Sequence, residues 1–390
     1  MKTITNILFV ITFLMANFNA NAVVRTVSNW SAIPAQYTSV QDAIEEANAN
    51  DIIYVHGSPN SYGDITIWKK LTIIGAGFYP SGQNQNRSTF QSINLSPRVL
   101  AGIDNSSLIG ISAANIYYQV PIQYGFDDTV YDVKGITIDR SFFSYLSAFL
   151  GSGTNNNSFL IKNSFINGLI SLNAVTDVTI ANNYFIGSSS IDGANSPAIN
   201  AVISQNAFIG GFYGANSSTG TICNTAGQNS GNAIGILNNA IFTNNIFYGV
   251  PLNPILSNTV FNNNLTFATN NDALSFSGAI TTGTISSNPN FIQIENPLTA
   301  DCFFYGGIGF DLRNVVYYFN QINLTLATGS PAINSGIGGV NIGPSGGSLG
   351  FNYRTQSRPR IPQMQSLVIN NAAIQQDGTL NVQIQGQKQD

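Results

Sequence analysis

Six segments of this chain share one internal layout, and that repeat restricts the fold more than any other feature. Each segment opens on an apolar residue: Ile138, Leu160, Ile180, Ile203, Phe242 and Phe261. The openers lie 22, 20, 23, 39 and 19 residues apart, the 39 being close to two periods. Three positions on stand Ser141, Asn163, Asn183, Asn206, Asn245 and Asn264; five positions on stand Phe143, Phe165, Phe185, Phe208 and Phe247, with Thr266 ending the series. A period of ~20 residues with fixed internal positions describes stacked copies of one small unit. The units are rich in Ile, Val, Phe, Thr and Asn, break every few residues at turn formers, and hold no run that suits an amphipathic helix. Leucine-rich spacing is absent. Coils of this size, each carrying two or three short parallel strands, predict an all-β parallel β-helix.

Stacking at ~4.8 Å puts equivalent positions of successive coils above one another. An asparagine side chain donates and accepts at once, so Asn163, Asn183, Asn206, Asn245 and Asn264 are expected to form a ladder of amide hydrogen bonds along the axis. Each such bond contributes about 1 kcal/mol net, and an orphaned buried neighbour costs more. Asparagine also tolerates left-handed backbone in tight turns. The competing reading, in which these side chains bind sugar or metal, needs them exposed. An apolar opener and the Phe five residues on are expected to point inward across the turn.

The ends of such a stack need cover, because bare strand edges recruit other chains. Ser39 and Asp42 suggest a capping box, opening a short helix to about Ala47. Val40, Ala43, Ile44 and Ala47 would face inward, and Asp42, Glu45 and Glu46 outward. Strands are expected at Ile52–Val55, Ile65–Ile67 and Leu71–Ile74. The run SVQDAIEEANANDIIYVHGSPNSYGDITIWKKLTIIGAG resembles the first coils of secreted bacterial right-handed parallel β-helix proteins of the pectin-lyase-like superfamily. ATGSPAINSGIGGVNIG, residues 327–343, is similar to the closing coil of the same proteins. The resemblance implies a right-handed parallel β-helix over residues 23–350. At ~22 residues per coil that span would build about 15 coils. The superfamily includes pectate lyases, polygalacturonases, alginate lyases, epimerases and phage tailspikes. Residues 351–365 read as a Pro-bearing linker. Residues 366–390 read as a β-hairpin tail turning at Asp377-Gly378.

Residues 1–22 carry one Lys, an apolar run from Ile7 to Met15 and an Ala20-Asn21-Ala22 end. This is the layout of a cleavable export signal cut after Ala22. The run is too short to span ~30 Å of hydrocarbon. Secretion or cell-surface placement follows as the expectation, with no membrane span in the mature chain. Only 8% of residues are charged and the formal net charge is −4, so no basic surface is available for nucleic acid. Cys223 and Cys302 would sit four coils apart, roughly 19 Å, beyond disulfide reach. Without neighbouring His they do not suggest zinc.

Glycoside hydrolysis normally needs two carboxylates flanking the scissile bond, and between Ser141 and Ala300 the charges are few and scattered: Lys162, Asp177, Asp192, Asp272 and Glu295. His56, the only histidine, reads as a turn residue. A lyase needs a base and a cation to stabilise developing negative charge. Arg140 and Lys162, two positions after their openers, would stack on adjacent coils beside Asp139. Asp127, Asp128 and Asp132 in the preceding coil would hold Ca²⁺ through oxygen ligands under that reading alone; otherwise no cofactor or metal is expected. The plainer reading makes this a solvated surface cluster. Tyr117, Tyr118 and Tyr124 are weak candidates for sugar stacking, with one of the adjacent pair facing out.

Taken together the residues favour an exported, non-catalytic β-helix that binds a polysaccharide or a surface protein. The alternatives are a polysaccharide lyase acting on an acidic, uronate-containing glycan, and a structural spacer or adhesin.

Overall fold

The structure is a computed structural model. It describes residues 22–79, 86–96, 102–118, 133–148, 158–172, 175–187, 190–192, 198–210, 233–250, 252–294, 322–348, 350–359, 363–369 and 382–387. Its main body is a right-handed parallel β-helix. One sheet holds eleven parallel strands in strict chain order, from Val24–Val27 through Ile52–Val55 and Thr72–Ile74 to Thr259–Asn262 and Ala279–Thr282. A second sheet follows the same order from Asp64–Ile67 to Ile285–Ser286, and a third pairs Ala198–Ile199, Ile236–Asn238 and Ile255–Ser257. Among the described residues the first sheet has eleven rungs, against the ~15 expected, because several coils are longer than ~22 residues and the C-terminal segment from 322 runs along the side of the stack.

The helix Val40–Glu46 covers the first coils. Ser39 caps it, its Oγ accepting from Asp42 N at 3.2 Å. Val40, Ala43, Ile44 and Ala47 are buried against the core while Asp42, Glu45 and Glu46 are exposed, the split that a 3.6-residue period requires.

Most coils bend sharply beside the first sheet at residues in the left-handed region. Before the strands stand Asn50, Asn105, Gly135, Asn200, Asn239, Asn258 and Gly278; after them stand Gly110, Arg140, Asn163, Asn182, Gln205, Asn244, Asn263 and Gly283, all with positive φ. Asparagine is the residue besides glycine that enters this region most readily. Eleven of the fifteen described non-glycine residues with positive φ are asparagines, so much of the Asn content serves corners rather than ligands.

The interior is a column of side chains in register. Ile138, Ile161, Ile180, Ile203, Phe242 and Phe261 are successive partners in the first sheet. Phe185, Phe208 and Phe247 stack with centroids 4.5 and 5.0 Å apart, and Phe242 lies 4.7 Å over Phe261. This register corrects one reading. The opener of the second unit is Ile161, not Leu160. Ile166 therefore points inward, while Phe165 joins a second apolar cluster on the outer face of the second sheet.

That outer cluster has its own cover. Residues Phe142, Phe165, Tyr184, Ala207, Ile246 and Leu265 form one outward row. Ile322, Leu324, Ala332, Ile342, Phe351 and Tyr353 from the C-terminal segment pack on it. The segment expected to close the stack as a last coil instead runs back along its side. The first part of the expected linker is also fixed, since Tyr353–Gln356 is helical and Phe351, Tyr353 and Ser357 are buried. Further on, Gln363–Ile369 pairs antiparallel with Val382–Gln387.

Candidate functional site

The two asparagines of IANNYFIG have different tasks. Asn182 is the left-handed corner, with φ 58°. Asn183 follows it into the interior and is fully buried. Asn183 Oδ1 accepts from Ser164 N at 2.9 Å, and Asn183 Nδ2 donates to Ile161 O at 2.9 Å and Asn206 Oδ1 at 3.0 Å. The same pattern links Asn206 to Asn245 and Asn245 to Asn264, at 3.0 Å between amides. In each case the backbone N of one rung also donates to the next rung's Oδ1 at 2.9 Å. Ser141 and Ser164 hold the equivalent places below, Ser141 N donating to Ser164 Oγ at 3.1 Å. Asn163 does not belong to this row. The one-residue shift at Ile161 makes it a corner, stacked on Arg140 and Asn182, and Ser164 stands where Asn163 was expected.

The corner column carries outward side chains, and these hold the C-terminal segment. Asn263 Nδ2 reaches Ser335 O at 3.4 Å, and Asn244 Oδ1 accepts from Ile337 N at 3.0 Å. Gln205 donates to Asn341 O and Gly343 O, each at 2.9 Å, and accepts from Asn244 Nδ2 at 3.1 Å. Asn182 Nδ2 donates to Pro344 O at 2.8 Å and Gly346 O at 2.9 Å. Arg140 Nε donates to Gln356 O at 3.1 Å. At Gly110, φ is 65° and an added Cβ would lie 2.4 Å from Pro359 Cγ, so glycine is required twice over. The partners are mostly main-chain carbonyls, and the result is a strap pinned rung by rung.

This strap decides the fate of the basic cluster. Lys162 pairs in the sheet with Asp139, not with Arg140. The three candidates do meet, but around the carboxylate. Asp139 Oδ2 lies 2.6 Å from an Arg140 terminal nitrogen and 3.9 Å from Lys162 Nζ, and Asp139 Oδ1 accepts from Asn163 Nδ2 at 2.9 Å. Asp139 is buried and the Arg140 side chain is only 15% exposed. A guanidinium held by a carboxylate and a carbonyl is a fixed cation with no lone pair to take a proton. The cluster ties the corner to the strap, and the expected stacked basic pair is replaced by a centred ion triad. Arg140→Ala is expected to cost about 2–3 kcal/mol by stranding Asp139. Arg140→Gly should cost about 1 kcal/mol less, since glycine enters φ 48° freely. Denaturant unfolding of the pair of variants measures both.

The remaining candidates are dispersed. Tyr118 is buried in the core against Phe159 at 6.3 Å, so it faces no ligand, whereas Tyr117 is half-buried beside Tyr145 at 5.8 Å. Tyr124, Asp127, Asp128, Asp132, Cys223 and Cys302 lie outside the described residues, as do residues 1–21. His56 sits edge-on to Tyr54 at 4.8 Å, and burial pulls its imidazole below the usual range. An open cavity of about 760 Å³ at the last described coil is lined by residues including Asp272, Phe276, Thr281 and Ser286. Its Asp272 Oδ1 is already taken by Thr269 N and Oγ1. Among the described residues no helix is long and apolar enough to cross a membrane.

One exposed surface row is apolar. The outward row of the first sheet runs Val202, Ile241, Val260, Ile280 in register. Val202 is 38%, Ile241 44% and Ile280 66% exposed, with Ile255 at 66% on the neighbouring third sheet. No described Trp, Tyr or Phe is exposed. The signal for this row is in the sequence, in apolar residues one position before the inward openers, and it was overlooked there.

No family model and no curated protein matches the chain. Among solved structures it is similar to the pectin methylesterase from Aspergillus niger, in a penultimately deglycosylated and in a deglycosylated form. Both are 14% identical over 68% of this chain and 82% of that one, with TM-scores of 0.25 and 0.24.

Proposed function

We propose that the chain is an exported, non-catalytic β-helix that binds a protein partner at the cell surface through the outward row of its first sheet. The observation that carries this reading is the outward row Val202–Ile241–Val260–Ile280, in which Val260 is half-buried and the other three are exposed. Three coil steps of ~4.8 Å make it about 14 Å long, and Ile255 widens it. Contiguous exposed aliphatics of this kind mark contact surfaces in soluble proteins. The second sheet has a comparable apolar row, but the strap covers it. The lack of an exposed ring among the described residues favours a protein over a sugar, for which stacking platforms are the usual means. The spacer reading fits less well, since a spacer gains nothing from bare isoleucines. No cofactor is needed.

Labelled residues 23–390 should bind the surface of cells that export the protein. Ile241→Lys with Ile280→Lys should weaken binding at least tenfold and leave unfolding unchanged. The same protein incubated with acidic and neutral polysaccharides, with and without Ca²⁺, is expected to release nothing. Unsaturated uronates that vanish in Arg140→Ala would replace this reading with the lyase.

A further inference from the structure

The stack begins at Val23. Its carbonyl accepts from Ile52 N at 2.9 Å, the first rung contact of the first sheet. Its nitrogen donates to Asp51 Oδ1 at 2.9 Å. Asp51 is 2% exposed, and its other oxygen accepts from Asn48 N at 2.9 Å and Arg25 Nε at 3.3 Å. Burial pushes this carboxyl up, but the Val23 and Asn48 hydrogen bonds and the Arg25 charge outweigh it and leave it below the usual range. Arg25 is shared, since a terminal nitrogen donates to Tyr37 Oη at 2.9 Å, and Tyr37 in turn donates to Glu46 at 2.8 Å. Arg25 therefore serves Asp51 directly and reaches Glu46 only through the Tyr37 hydroxyl.

Asp51 can take a second cation on its other oxygen, Oδ1, and Val23 N, 2.9 Å away, is placed to be one. Val23 is 48% exposed and Ala22 is exposed, so a charged nitrogen here would keep two N–H groups in water while the third meets Asp51. That arrangement avoids most of the desolvation cost of a buried ion pair.

We propose that the chain is processed between Ala22 and Val23, and that the new Val23 ammonium forms an ion pair with Asp51 that completes the N-terminal cap. The inference rests on the export reading. In the cut, water adds to the Ala22 carbonyl and the Ala22–Val23 C–N bond breaks. Ala22 leaves as a carboxylate, and the Val23 nitrogen takes up protons to become the ammonium. The hydrolase is an export-signal peptidase, acting before or during folding.

Two measurements separate this from the export reading. Mass and N-terminal sequencing of exported protein should give Val23 as the first residue. Export with a cut elsewhere would overturn the inference and leave export standing; no export would overturn the export reading. Independently, residues 23–390 released from a removable fusion can be compared with an N-acetylated form and with a form carrying two extra residues. The free-amine form should have the highest unfolding midpoint, and its α-amine should react about tenfold more slowly with an acylating reagent at pH 8 than in Asp51→Asn. N-acetylation keeps Asp51 and the N–H and removes only the charge, so it serves if Asp51→Asn does not fold. Equal midpoints for free and acetylated forms would overturn the ion pair.

Discussion

Asn206→Ala is expected to destabilise the protein by about 3–5 kcal/mol, the largest loss from any single polar substitution in the stack. Asn206 is fully buried in mid-column. Its Oδ1 accepts both Asn183 N and Asn183 Nδ2, and its Nδ2 serves Ile180 O, Ser204 O and Asn245 Oδ1. Alanine leaves several of these groups without partners away from water, at about 1–3 kcal/mol each. Asn206→Asp keeps the acceptor for Asn183 but sets a second carboxylate oxygen against Ile180 O, Ser204 O and Asn245 Oδ1, which are all acceptors. A carboxylate so placed has its folded pKa raised above the unfolded value of about 3.9. The folded state then binds more protons than the unfolded, so stability falls as pH rises from that value upward. Denaturant unfolding across pH should show the aspartate variant gaining toward acid relative to the alanine variant, whose pH dependence follows that of the unaltered protein. Loss of partner binding at unchanged stability would mean that the asparagines hold a ligand instead.

The same residues show what was legible in the sequence. The period, the inward phenylalanines and the N-terminal cap were readable because each repeats a burial pattern that few other arrangements satisfy. The second unit was misread because SFLIKNSFI offers apolar residues at both phases, Leu160 and Ile161, then Phe165 and Ile166. Asn163 looked like the ladder member because serine at position 164 gives a weaker signal. In a strand a one-residue slip exchanges the faces, so this single choice misplaced Asn163, Phe165 and Lys162 together. The basic pair was a by-product of the slip. Adjacent apolar residues such as Phe142-Phe143 and Tyr184-Phe185 imply cover on both faces of the sheet, but nothing local says that the cover comes from a segment as distant in the chain as Ile322–Tyr353. The strap is held through main-chain carbonyls and corner side chains, and such contacts leave little pattern in the sequence of either party.

Tyr353→Ala should therefore act on the strap before the stack. The ring is fully buried with centroids 5.1 Å from Tyr184 and 5.8 Å from Phe165, and its hydroxyl accepts from Leu324 N at 3.3 Å and donates to Ile322 O at 3.1 Å. Truncation of a buried aromatic costs about 3–5 kcal/mol, and here the loss falls on one side of an interface that the solenoid core does not cross. Residues 322–359 should lose hydrogen-exchange protection and become open to protease, while the rungs from Ile53 to Phe261 keep theirs. Tyr353→Phe removes only the hydroxyl; Ile322 O retains the Arg354 guanidinium at 3.1 Å, so the cost should be about 1 kcal/mol. Separation of the two protection patterns would make the strap an independent unit clamped on a self-sufficient stack. Loss of both together in Tyr353→Ala would mean that the coils cannot hold Phe142, Phe165 and Tyr184 bare, and that the strap is as much a part of the core as the interior column.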